Sequence, residues 1–168
     1  LDWSGSMQKH LLPTVEQLLN LTLFCKKINI PFSVYAFMNN HRDERDQYSQ
    51  SGFKVSKKTL LPDATTKLVQ LFSHKQSKVD YMRVATILHR AAMYFNGYYN
   101  WRRMDTFEDE SVPSISGDYY LSSTPLNESL IAMDKIIKKF KTDYAVQKLS
   151  LVTLTDGASN SMNHKGVG

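Results

Sequence analysis

The spacing of apolar positions divides the chain into helical and extended stretches. Leu11, Val15, Leu18, Leu19, Thr22, Cys25 and Ile28 recur at helical intervals, which predicts a helix over 12–28 packed on a sheet. Pro13 fits the first turn of that helix, where an N–H has no intrahelical partner to lose. Leu21, Leu23 and Phe24 widen the apolar surface, as expected of a helix with neighbours on several sides. Residues 30–38 are almost all apolar and predict a buried strand that stops at Asn39-Asn40. A helix leading directly into a strand is half of a βαβ unit. The other half would be a strand ahead of Asp2, of which only Leu1 is present.

Residues 41–58 are charged and polar and predict a long loop, with 53–55 as a short edge strand. The signs of Arg42, Asp43, Glu44, Arg45 and Asp46 alternate, which reads as a solvated surface. Residues 65–74 carry Leu68, Leu71 and Phe72 at helical spacing and predict a short helix. Residues 79–96 carry a longer apolar face from Tyr81 to Phe95 and predict a second helix, with Gly97 placed to cap it. A polar loop over 105–123 then leads to an amphipathic helix defined by Leu126, Leu130, Ile131, Met133, Ile137 and Phe140. Its Lys135, Lys138 and Lys139 fall on the solvent side. Residues 149–155 form an apolar run that predicts a buried strand, crowned by Asp156 and Gly157.

Chemistry enters at three places on this frame. The stretch Asp2-Trp3-Ser4-Gly5-Ser6 sets three oxygen-bearing side chains at every second position. In an extended or turning backbone, alternate side chains share a side, so Asp2, Ser4 and Ser6 converge. Gly5 lets the chain bend between them. Thr124 opens the helix at 126, and Asp156 ends the last apolar run. In open α/β sheets ligands collect beyond the carboxyl ends of the strands, where such loops meet. One carboxylate pair and three hydroxyls are hard donors, suited to Mg²⁺, Mn²⁺ or Ca²⁺ rather than zinc or copper.

Length and composition narrow the class. At 168 residues the chain is one domain, and 42% apolar with 22% charged residues is the balance of a globular protein. There is no apolar run of membrane-spanning length and no signal-peptide pattern, although the chain starts at Leu1 rather than Met. Cys25 is the single cysteine, reads as a buried thiol, and points to a reducing, cytoplasmic setting. A net charge of +5 with acidic and basic residues interspersed permits an acidic partner without arguing for nucleic acid. The histidines show no metal-ligand spacing.

The ordered set Asp2, Ser4, Ser6, Thr124 and Asp156 resembles the metal-ion-dependent adhesion site of von Willebrand factor A (VWA) domains. More narrowly, the chain is similar to the VWA domain of cobaltochelatase CobT-type subunits, including those carried by tailed phages. That similarity rests on residues 1–7, on the helix opened by Pro13, on Thr124-Pro125-Leu126-Asn127-Glu128, and on Leu154-Thr155-Asp156-Gly157. The resemblance implies an α/β fold, a three-layer α/β/α sandwich of Rossmann-like topology, with Mg²⁺ or Mn²⁺ at the carboxyl edge of its sheet. It implies that a protein partner supplies an Asp or Glu to the metal, and that this partner is an AAA+ ATPase subunit. Chelation chemistry would lie in another subunit. Relative to the family pattern, the strand before Asp2 and the elements after Gly168 are missing, which predicts that 1–168 is a fragment of a longer VWA protein.

Two other functions remain open on the sequence. A metal-dependent phosphatase or hydrolase could use Asp2, but no second Asp follows two residues on, where such enzymes often place their acid. Tyr98-Tyr99-Asn100-Trp101-Arg102-Arg103 interleaves aromatics with arginines, as single-strand binding grooves do, but no wider basic stripe accompanies it.

Overall fold

A computed structural model describes residues 1–39, 66–101, 121, 123–157 and 159. Its elements are α1 (Leu11–Lys27), β1 (Ser33–Asn39), β2 (Thr66–Ser73), α2 (Lys78–Trp101) and α3 (Leu126–Tyr144), with a single 3-10 turn at Ser6–Lys9. The fold is mixed α/β, with a two-stranded antiparallel sheet among the described residues. The loop at 41–58, the edge strand at 53–55 and Arg102-Arg103 lie outside those residues.

α1 begins within a residue of its predicted start and buries Leu11, Val15, Leu18 and Thr22, one stripe of the helix. Its end is set by backbone geometry. Asn29 takes the left-handed conformation at φ 59°, Ile30 N–H reaches Cys25 O at 2.9 Å, and Asn29 N–H reaches Lys26 O at 3.3 Å. These are the two bonds of a Schellman cap, in which asparagine is tolerated where glycine is commoner. Beyond the stripe, Leu21, Leu23, Phe24 and Ile28 are exposed, and Cys25 is half-buried.

Residues 66–73 form a strand, not the helix that their spacing suggests. β2 runs antiparallel to β1, and the register slips between Val34 and Tyr35. Phe72 faces Val34 while Gln70 faces Tyr35, so Leu71 is the extra residue of a bulge. The bulge breaks the period-two alternation and lets adjacent Leu71 and Phe72 both be buried. Leu68, Leu71 and Phe72 thereby mimic a helical i, i+3, i+4 pattern inside a strand.

Ser77 caps α2: its hydroxyl accepts from Asp80 N–H at 3.1 Å and donates to the Asp80 carboxylate at 2.6 Å. The helix runs through Gly97 to Trp101, so Gly97 is an interior residue and not the cap. Ala85, Ala91 and Ala92 are buried beside Tyr81, Leu88 and Phe95. These small residues admit α1 closely, and the Thr22 hydroxyl meets the Tyr81 hydroxyl at 2.7 Å across the contact. His89 faces Glu16 at 3.5 Å, and His74 packs edge-on between Phe32 and Tyr144.

The first three residues complete the arrangement. Phe37 N–H donates to Leu1 O at 3.0 Å, Trp3 N–H donates to Phe37 O at 3.1 Å, and Asp2 pairs with Phe37 in parallel. On the opposite edge Asp2 N–H donates to Leu154 O at 2.8 Å. Residues 1–3 therefore lie between β1 and the 149–155 run, joined to β1 through α1. The run itself is not a regular strand, and Leu151 and Val152 are 47% and 65% exposed rather than buried. Among the described residues its one backbone bond to a neighbouring segment is that from Asp2 N–H to Leu154 O. Beyond Leu1 a groove of about 130 Å³ opens to solvent, walled by Leu18, Leu21, Tyr35, Leu130, Met133 and Val152. Among the described residues no helix is long and apolar enough to cross a membrane.

Candidate metal centre

Asp2 sits at the carboxyl end of β1's neighbouring segment because both of its edges are paired there. Trp3, fully buried with its ring edge-on to Phe95 at 6.3 Å, anchors the segment in the core. Since side chains alternate, burying Trp3 on one side directs Asp2 and Ser4 to the other. The chain then turns through Ser6–Lys9, where Gln8 Nε2 donates to Phe95 O at 3.1 Å and fixes the turn to α2.

Asp2 is wholly buried and Ser4 nearly so. The Ser4 and Ser6 hydroxyls stand 3.1 Å apart, and Ser6 is exposed at the rim. Asp2 Oδ2 accepts a hydrogen bond from the Thr155 hydroxyl at 2.7 Å, whereas Asp2 Oδ1 is buried with no partner. Burial pushes the Asp2 carboxyl above its usual range; hydrogen bonds from Thr155 and Ser4 oppose that rise, and the Asp156 charge adds to it. Asp156 thus lies within electrostatic reach of Asp2 while remaining exposed. Gly157 turns the loop at φ 102° and donates its N–H to the Thr155 hydroxyl at 3.2 Å.

Thr124 is buried immediately before α3. The N-cap position falls on Pro125, which has no capping side chain, and Ser129 donates back to Pro125 O at 2.7 Å. Leu126 and Ser129 of this first turn share the groove wall with Leu1 and Leu154. That places the turn after Thr124 near Leu1 and Leu154, and no hydrogen bond among the described residues joins Thr124 to Asp2. Glu128, in the same turn, is 4% exposed and its Oε2 has no partner.

The structure therefore bonds Ser4 to Ser6 and Asp2 to Thr155, and sets Ser4 and the Asp156 charge near enough to act on the Asp2 carboxyl, while no hydrogen bond among the described residues ties Thr124 to them. Among the described residues no three His, Cys, Asp or Glu side chains cluster as a metal-binding group. The expected set has only two carboxylates, so its remaining donors would be hydroxyls. An orphaned buried carboxylate oxygen is costly unless a donor or cation meets it. Asp2 Oδ1 with the adjoining Ser4 and Ser6 hydroxyls fits a hard divalent cation.

Thr155 is the site residue that sequence reasoning missed. No protein family, no curated protein and no solved structure matches the chain.

Proposed function

We propose that the chain is a divalent-metal-dependent protein-interaction module, a VWA domain with a metal-ion-dependent adhesion site on a three-layer α/β/α frame. The observation that carries this reading is the Asp2 carboxylate, with one oxygen bonded to Thr155 and the other buried without a partner, two and four residues ahead of the bonded Ser4 and Ser6 hydroxyls. Asp2, Ser4 and Ser6 would hold Mg²⁺ or Mn²⁺, with Thr124 and Asp156 completing the set. The bound cation would supply an electrophilic point for an acidic oxygen from outside. Two carboxylates neutralise such a cation only formally, and neutral hydroxyls leave it short of anionic ligands, so a partner's Asp or Glu is the natural sixth donor.

This chain's own part is to bury and orient the donors. Asp2 is held from both backbone edges, and Ser6 stands exposed where a partner would approach. In the CobT-type reading that partner is an AAA+ ATPase subunit in the cytoplasm, and the module is an accessory component without catalysis of its own. The test is a purified complex of this chain with a CobT-type AAA+ partner. EDTA should release the partner while circular dichroism of the module stays unchanged. Retention of the complex in EDTA would contradict metal-dependent docking.

A further inference from the structure

The Thr155 hydroxyl makes two contacts that fix its own direction. It accepts from Gly157 N–H at 3.2 Å, so its proton is turned toward Asp2 Oδ2 at 2.7 Å. Two turns that are 153 residues apart in sequence are thereby joined through one oxygen. The backbone bond from Asp2 N–H to Leu154 O lies directly alongside. Asp2 is thus tied to the last apolar run by main chain and by side chain. Rotation of its carboxylate would break the Thr155 bond, so Oδ2 is committed and Oδ1 is left buried without a partner.

We propose that Thr155 is a positioning residue for the cation site: its hydroxyl locks the Asp2 carboxylate so that Oδ1 is presented as a ligand, and couples that lock to the turn carrying Asp156. This rests on the metal-binding reading above. Residues that orient metal ligands from behind commonly change affinity about 10- to 100-fold when removed. Valine matches threonine in shape but lacks the hydroxyl, whereas serine keeps it.

The experiment pairs Mg²⁺ and Mn²⁺ calorimetry with amide hydrogen exchange on the metal-free protein, using the unaltered chain, Thr155→Val and Thr155→Ser. The expected result is an affinity 10- to 100-fold weaker in Thr155→Val and within about threefold of the unaltered chain in Thr155→Ser. The Gly157 amide should lose protection in the valine variant alone, and the thermal midpoint of that variant should fall because Asp2 Oδ2 loses its partner. Equal affinity in all three proteins would overturn the positioning role. If the unaltered chain binds no cation, the metal reading fails by itself. The Gly157 amide then still decides whether Thr155 holds the turn: unchanged protection in Thr155→Val overturns it, and selective loss sustains it. Should the valine variant not fold, Thr155→Ala takes its place in both measurements.

Discussion

At the residue scale, the site is defined by what the Asp2 carboxylate lacks. A carboxyl whose folded pKa is raised stabilises the fold when protonated, below its unfolded value of 3.8, and that stabilisation is lost as pH rises through the folded pKa. Ionising the buried Asp2 in the metal-free chain therefore carries a cost. Asp2→Asn removes the charge and keeps the shape. In EDTA, above the folded pKa of Asp2, it should melt higher than the unaltered chain, and Mg²⁺ should stabilise only the unaltered chain. A variant that melts lower in EDTA, or that still responds to Mg²⁺, would count against this account. The D-x-S-x-S donors were legible in the sequence because alternation puts them on one side of a short segment. Thr155 was not legible, because its role depends on a contact with a residue at the other end of the chain, which no local pattern encodes.

At the scale of elements, caps and bulges decided what periodicity could reveal. α1 and α3 were readable because their apolar stripes persist over several turns. β2 was misread because its bulge buries two successive residues, Leu71 and Phe72. The 149–155 run was readable as extended but not as exposed, since its burial depends on a neighbour that local sequence does not show. α3 ends at Ala145, a non-glycine residue in the left-handed conformation at φ 51°, with Val146 N–H reaching Lys141 O at 3.3 Å. A Cβ in that conformation costs roughly 1–2 kcal/mol, part of which glycine gives back as unfolded-state entropy. Ala145→Gly should therefore stabilise the chain by about 0.5–1 kcal/mol in urea unfolding. No gain, or a loss, would mean that this end of α3 is not capped as described.

At the scale of the molecule, the groove beyond Leu1 links stability to the site. Extending the chain upstream by four or five alternating apolar residues offers those side chains the apolar walls of Leu18, Leu21, Leu130 and Met133. Each large side chain fully buried there is worth roughly 1.5–3 kcal/mol, so the midpoint should rise clearly and the Tyr35 and Leu154 amides should gain exchange protection. An extension that leaves both unchanged would show that the groove does not accept a strand.

The most direct test of the central claim is calorimetric titration of Mg²⁺ and Mn²⁺ into the folded chain beside Asp156→Ala. Saturable one-site binding that disappears in the variant is the predicted result. Binding that survives the loss of Asp156, or no binding by a chain shown to be folded, would contradict a cation site built from the Asp2 and Asp156 turns.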